Sequence, residues 1–333
     1  MTLTGLYVPL ITPFDLAGDI AVDALTALAN DALDAGAAGV VALGTTGEPA
    51  ALSDDERGTV LDVLSAVCRA RRSHLLVGAN SVEALRALAD RPEVTAALCL
   101  VPPFLRPGGA GVLAHFAHLA QASPVPLVVY HVPYRTGQQL GPDDLRQLAG
   151  LPGVIGIKYA TGGIDGDTVD FLADIRPGFA VLGGEDPLIS PLLALGAHGA
   201  IAASAQVAAA DFVQLVAHWQ AGDLVRGRAL GHRLAGLSAA LFAEPNPTVI
   251  KSVLHARGRI PTAAVRLPLL PAGPDAARRA LRSPRRARQL VQAPERPPRR
   301  VRVVSAPGRW PGRSRRTPRR RRDPAPTGRR TPR

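Results

Sequence analysis

The chain has 333 residues, of which 47% are hydrophobic, so it can bury the core of one large domain or two ordinary ones. Its longest apolar runs are much shorter than the roughly 20 residues of a membrane helix, and its first residues do not form a basic-then-apolar leader, so we expect a cytoplasmic protein without a membrane partner. The net charge of +12 is uneven, because residues 275–333 hold 21 Arg and 3 acidic residues (net +18), which leaves a net charge of −6 for residues 1–274.

Short apolar, β-branched runs alternate with amphipathic helical patterns through residues 1–205. This alternation predicts repeated βα units and a parallel sheet whose strands are buried on both faces. Eight units predict closure into a (β/α)8 barrel, the TIM-barrel architecture of the α/β class. An open, doubly wound sheet is the alternative, but no Gly-x-Gly-x-x-Gly follows the first strand. The predicted strands are residues 6–11, 39–43, 75–78, 97–101, 127–130, 154–158, 180–182 and 199–203.

The pattern changes twice after the barrel. Residues 206–273 are predicted to form a C-terminal helical appendage, with helices at 208–243, interrupted near Gly222, and at 247–255. Residues 274–333 are rich in Arg and Pro and cannot bury enough surface to offset chain entropy, so we expect a disordered basic tail. Such a tail would bind nucleic acid only non-specifically, through phosphates. Alternatively, it is a frameshift product of a GC-rich gene without a selected function.

Lysine is rare in this sequence. Lys158 and Lys251 are the two lysines among 39 basic residues, and Lys158 ends the sixth predicted strand. In a parallel barrel the reactive groups lie at the carboxyl ends of the strands. A primary amine can lose its proton and attack a carbonyl, which a guanidinium cannot do. Lys158 is therefore a candidate nucleophile, although a structural ion pair is an equally open interpretation of its position alone.

Three other strand ends carry polar or glycine-rich sequence. Two hydroxyls and adjacent backbone N–H groups in residues 44–48 can hold a carboxylate. Residues 130–137 combine a phenol with an arginine, and the two glycines of residues 183–186 indicate a close backbone approach, with the two acids capping the next helix. His115 and His118 lie three residues apart on a predicted helix, but without a third ligand we expect no metal.

The order and spacing of these segments resemble the dihydrodipicolinate synthase/N-acetylneuraminate lyase family of Schiff-base (β/α)8 enzymes. The resemblance extends from about Gly5 to Gly273. The matching segments are Gly44-Thr45-Thr46-Gly47-Glu48, Tyr130-His131-Val132-Pro133, Arg135-Thr136-Gly137, Gly156-Ile157-Lys158, Ala160-Thr161-Gly162 and Glu244-Pro245-Asn246-Pro247 with Lys251.

The resemblance implies that Lys158 forms an imine with pyruvate, that Tyr130 is the general acid and base, and that Thr45 and Thr46 hold the pyruvate carboxylate. A hydroxyl such as that of Thr45 can also orient the phenol. The covalent lysine–pyruvate imine then takes the place of a cofactor, and the partners are pyruvate, an aldehyde and further copies of the chain in a dimer or tetramer. Arg135 would bind a carboxylate on the aldehyde. The implied substrate-binding residues are Thr46, Gly47, Arg135, Gly184 and Ile201.

We expect an activity most like that of the synthases of this family. A 2-keto-3-deoxy-acid aldolase or dehydratase is the alternative on the same imine chemistry. An alternative of another class is a catalytically idle barrel that binds nucleic acid through the basic tail.

The sequence departs from the pattern of the synthases at three positions. Phe104 stands where they have a tyrosine that completes a hydroxyl relay with Tyr130 and Thr45, and a phenyl ring cannot pass a proton. His131 and Tyr159 replace a common asparagine and a common glutamate, and we expect both near the substrate. These departures leave the step after the imine open.

Overall fold

The computed structural model describes residues 2–291, with side chains described to residue 282. Eight parallel strands form a closed barrel in which each strand pairs with its neighbours in the sequence and the last strand pairs with the first. The predicted (β/α)8 barrel is therefore confirmed. The strands are β1 (Gly5–Pro9), β2 (Gly39–Ala42), β3 (His74–Gly78), β4 (Val94–Leu100), β5 (Leu127–His131), β6 (Val154–Tyr159), β7 (Ala180–Gly183) and β8 (Gly199–Ile201).

Helices connect successive strands and continue beyond the barrel. A capping box of Ser53 and Glu56 begins the second helix. The helices are α1 (Val22–Asp34), α2 (Asp54–Arg71), α3 (Val82–Arg86), α4 (Gly108–Ala122), α5 (Pro133–Thr136), α6 (Pro142–Gly150), α7 (Gly166–Ala173), α8 (Ile189–Ala194), α9 (Ala205–Gln220), α10 (Leu224–Leu241), α11 (Thr248–Ala256) and α12 (Pro274–Val291). Among the described residues, no helix combines the length and the apolar character that crossing a membrane requires.

The core has two layers, because side chains alternate between the two faces of each strand. On β5, Val128 and Tyr130 point into the barrel, whereas Leu127 and Val129 pack against the surrounding helices. This alternation decides which strand-end residues reach the barrel mouth.

The expectation of a disordered tail from residue 274 is wrong at its start. Pro274 begins α12, which packs against α10 and α11. Ala276 and Ala280, four residues apart on one helix face, are both buried. Two alanines among arginines carry little hydrophobic signal, so the amino-acid composition did not predict this helix. The rest of the predicted basic tail, residues 292–333, lies outside the described residues.

Candidate active site

Lys158 lies at the carboxyl end of β6 and is 6% exposed. Its register partner on β5 is Tyr130, and its Nζ lies 4.2 Å from the centroid of the Tyr130 ring. Gly184 packs against the same side chain. A Cβ added at Gly184 would lie 2.6 Å from Cγ of Lys158 and 2.9 Å from Cε, closer than real contacts permit. The amine therefore lies against the phenol on one side and against a bare backbone on the other.

The turn after β2 brings two hydroxyls to the same cavity. Residues Thr45–Gly47 form a short 3-10 helix, in which the N–H of Gly47 donates to the carbonyl of Gly44. Thr46 is buried, and its Oγ1 accepts a hydrogen bond of 2.9 Å from Nδ2 of Asn246. Because Oγ1 accepts from Asn246, its own hydrogen is free to donate elsewhere.

A buried ion pair between Glu48 and Lys251 holds this turn in place. Glu48 adopts a left-handed conformation with φ of 56°, and its Oε1 lies 2.5 Å from Nζ of Lys251. Both side chains are buried, and burial lowers the pKa of Lys251 to about 8 although the Glu48 carboxylate opposes this shift. The other carboxylate oxygen of Glu48 accepts from the backbone N–H of Arg266 at 2.9 Å. One buried lysine is thus structural and the other faces the cavity.

Most of the predicted site residues line one cavity at the barrel mouth. Two of them do not: Gly47 shapes the turn with its N–H already bonded, and Ile201 is fully buried inside the barrel on β8, where Ala203 two residues later reaches the cavity instead. The predicted residues that line the cavity are Thr45, Thr46, Tyr130, Arg135, Lys158 and Gly184.

Six further residues, not predicted to bind substrate, also line the cavity: Tyr134, Glu185, Asp186, Ala203, Phe242 and Asn246. The first three lie within the strand-end segments already singled out, so closer attention to those segments could have found them. Phe242 and Asn246 follow the barrel in sequence, and no strand end marks them. One signal marked Asn246 in the sequence, its place in the family-matching segment Glu244-Pro245-Asn246-Pro247.

The sequence predicted that the two acids after β7 cap the next helix, and this prediction is wrong. Glu185 makes no capping hydrogen bond, and Oδ2 of Asp186 instead accepts from the backbone N–H of Ser204 at 2.6 Å. Burial raises the pKa of both carboxyls. The charges of Arg135 and Lys158 oppose this shift at Glu185. The cavity therefore contains a half-buried carboxyl whose charged form is favoured by two cationic side chains of the same lining.

His131 and Tyr159 do not lie near the substrate cavity, so that expectation is wrong. Each follows an inward-pointing residue of its strand and therefore points outward, into the helix layer. Their ring centroids are 6.0 Å apart. Tyr159 contacts two residues of α7: its ring stacks on Phe171, and its hydroxyl lies 3.1 Å from Oγ1 of Thr168. These replacements lie in the packing between barrel and helices and not in the lining of the cavity.

Phe104 also lies outside the cavity of its own chain. It is 93% exposed on the loop after β4, has a positive φ of 68°, and its backbone N–H donates to the carbonyl of Thr136 at 3.1 Å. Tyr130 and Thr45 therefore line a cavity to which the loop after β4 of the same chain contributes no aromatic side chain.

Comparison with known proteins places these observations in a family. A family model described as the dihydrodipicolinate synthetase family matches residues 2–283. The 4-hydroxy-tetrahydrodipicolinate synthase of Syntrophus aciditrophicus is 36% identical over 269 residues, which cover 80% of this chain and 91% of the relative. The relative of the same name from Neisseria meningitidis is 34% identical over 275 residues, which cover 81% and 93%.

Solved structures give the same result. A chloride-inhibited dihydrodipicolinate synthase from Acinetobacter baumannii, complexed with pyruvate, has a TM-score of 0.81 at 30% identity and covers 86% of this chain and 99% of its own. A dihydrodipicolinate synthase from Thermotoga maritima has a TM-score of 0.80 at 28% identity, with coverage of 86% and 99%. The chain therefore belongs to the dihydrodipicolinate synthetase family.

Proposed function

We propose that the chain is a class I lyase that joins pyruvate to an aldehyde through an imine on Lys158, in the reaction for which its relatives are named, that of 4-hydroxy-tetrahydrodipicolinate synthase. The observation that carries this proposal is the Lys158 amine, buried 4.2 Å from the Tyr130 ring in a cavity that also holds the hydroxyls of Thr45 and Thr46. Family membership supports the reaction class.

The chemistry follows from an amine beside a phenol. The neutral amine of Lys158 attacks the ketone carbon of pyruvate, a C–N bond forms, and the carbonyl oxygen leaves as water. The protonated imine withdraws electrons, so the methyl group loses a proton and an enamine forms. The enamine carbon then bonds to the aldehyde carbon, and the aldehyde oxygen takes up a proton. This step regenerates the imine, and attack of water on its carbon breaks the C–N bond and frees Lys158. Tyr130 is positioned to supply and remove these protons, with Thr45 orienting it. The covalent imine needs no separate cofactor.

The remaining polar groups hold the substrates. We assign the pyruvate carboxylate to the hydroxyls of Thr45 and Thr46, because the Thr46 hydroxyl accepts from Asn246 and so has its hydrogen free. Gly184 leaves room for the imine beside Lys158. Arg135, whose planar guanidinium suits a carboxylate, is assigned to the aldehyde partner. Gly47 and Ile201 keep supporting roles, in the turn and in the barrel floor.

We further propose a homo-oligomer, a dimer or tetramer, in the cytoplasm, where pyruvate is available. Phe104 and Leu105 are adjacent, apolar and exposed to 93% and 81%, which favours burial against a second copy. One of the similar solved structures is described as a monomeric dihydrodipicolinate synthase variant, so the assembly needs its own measurement. Analytical ultracentrifugation of the chain and of Phe104→Ser decides it: a lighter species for the variant supports this interface.

Borohydride trapping tests the central step. Reduction in the presence of saturating pyruvate is expected to attach a pyruvyl group to the Lys158 peptide, and Lys158→Arg is expected to abolish the adduct. Because the chain has one other lysine, the buried Lys251, peptide mass spectrometry assigns the adduct without ambiguity. An intact chain without any adduct would contradict imine catalysis and favour the idle-barrel alternative.

The second substrate requires a separate assay. Aspartate semialdehyde is expected to be turned over in preference to sugar-derived aldehydes, and Arg135→Ala is expected to remove that preference. Turnover of the sugar-derived aldehydes alone would identify a 2-keto-3-deoxy-acid aldolase with the same imine.

A further inference from the structure

A second cavity lies outside the barrel. It has a volume of about 470 Å³ and shares no lining residue with the barrel-mouth cavity. Its walls come from α1, α9, α10 and the residues that follow α11. Leu28 and Ala32 of α1 and Leu234 and Leu237 of α10 form an apolar surface on one side. A cavity of this size and lining suits the aliphatic or cyclic body of a small molecule.

The polar part of the lining is cationic. Three arginines line the cavity, Arg233, Arg257 and Arg259, against two aspartates, Asp31 and Asp211. Arg259 is paired with Asp31, and Nη1 of Arg257 donates to the carbonyl of Val207 at 2.9 Å. The two other charged residues of the lining are Arg233 and Asp211.

Arg233 has donors that the protein does not satisfy. Its Nη2 lies 3.9 Å from Oδ1 of Asp211, which is beyond hydrogen-bonding distance, and its Nε is buried without a hydrogen-bond partner. Gln206 is in a similar state, because its Oε1 accepts from the N–H of Ile11 at 2.9 Å while its Nε2 is buried without a partner. Unmet buried donors cost free energy, and a ligand with acceptor oxygens removes that cost.

We propose that this outer cavity binds a small organic anion, a carboxylate or phosphate on an apolar body, with the head group at Arg233 and Gln206. A planar guanidinium can offer two parallel N–H groups to either head group. The positive surplus of the lining favours an anion over a neutral ligand of the same shape. The leucines and alanines of the lining bury the apolar body.

Isothermal titration of the full chain tests this site with three probes: hexanoate, hexyl phosphate and neutral hexanamide. Saturating pyruvate is present throughout, so that the barrel mouth does not report the binding. We expect one anion per chain to bind, with hexanamide at least tenfold weaker. The tighter of the two anions identifies the head group that the site prefers.

Two variants and one control assign the binding to this cavity. Arg233→Met is expected to weaken the anion at least tenfold, whereas Arg228→Met, an exposed arginine on the same helix, leaves it unchanged. Ala209→Leu keeps every charge but narrows the cavity and is expected to weaken binding as well, which covers the case in which Arg233→Met fails to fold. No binding of either anion, equal binding of hexanamide, or unaltered binding to a folded variant would overturn the proposal.

Discussion

Nδ2 of Asn246 donates to Oγ1 of Thr46 across 200 positions of sequence. Thr46 follows β2 in the barrel, whereas Asn246 lies between α10 and α11 in the C-terminal helices. The helical appendage therefore contributes directly to the lining of the barrel mouth. A division of the chain into a catalytic barrel and a separate helical unit does not describe how the site is built.

Asn246→Ala is expected to weaken pyruvate binding, because the Thr46 hydroxyl loses the donor that orients it. Loss of one such hydrogen bond corresponds to about 1 kcal/mol, or roughly a fivefold rise in KM with a smaller change in kcat. A double-mutant cycle with Thr46→Val checks that the effect passes through this contact. Additive losses in the cycle would show that Asn246 acts elsewhere.

Gly184→Ala is expected to abolish most activity while the barrel remains folded. The added Cβ would lie 2.6 Å from Cγ of Lys158, so the lysine must move, and a displacement of about 1 Å can cost roughly 100-fold in rate. Steady-state kinetics and circular dichroism measure the two effects. Gly163→Ala, in the loop after β6 where nothing lies within 4 Å of the added atom, is the matched control and should retain activity. Normal kinetics of Gly184→Ala would show that the site tolerates the methyl group.

Lys251→Met is expected to destabilise the fold by about 3–5 kcal/mol, because it leaves the Glu48 carboxylate buried without its partner. Urea unfolding measures this loss. The double variant Glu48→Leu/Lys251→Met removes both charges and should recover much of the stability. If the double variant is no more stable than Lys251→Met, the loss arises from packing and not from the unpaired charge.

His131 is expected to destabilise the fold in acid. It is fully buried, and burial lowers its pKa to about 4, whereas an unfolded chain has a histidine pKa of about 6.5. Between these values the unfolded state binds a proton that the native state does not, so stability falls as the pH drops from about 6.5 towards 4. The total effect is of the order of 3 kcal/mol.

The measurement compares urea unfolding of the native chain and of His131→Phe at pH 8 and pH 5. At pH 8 the difference reports packing alone. At pH 5 the variant should gain stability relative to the native chain, since it has no buried imidazole to protonate on unfolding. The same difference at both pH values would contradict a proton-linked role for His131.

The sequence predicted the barrel and most of its strand-end residues because both depend on local pattern. Alternating βα units follow from hydrophobic periodicity, and reactive groups in such a barrel lie at the strand ends. The same periodicity, counted outward from Tyr130 and Lys158, could have placed His131 and Tyr159 in the helix layer.

Other parts of the site could not be predicted, because they depend on contacts between distant segments. The strand end marked Lys158 for the cavity, but only the fold shows that Lys251, which follows the barrel in sequence, neutralises Glu48. The contribution of Asn246 has the same origin. Ala276 and Ala280 were hidden because a short stripe of small residues among arginines carries little hydrophobic signal.

Adjacent residues on β5 and β6 belong to different layers of the molecule. Tyr130 and Lys158 face the barrel-mouth cavity, and His131 and Tyr159, each one position later, face the helices. A substitution at position 131 therefore acts on the helix layer and on stability in acid, whereas a substitution at position 130 acts on the lining of the cavity.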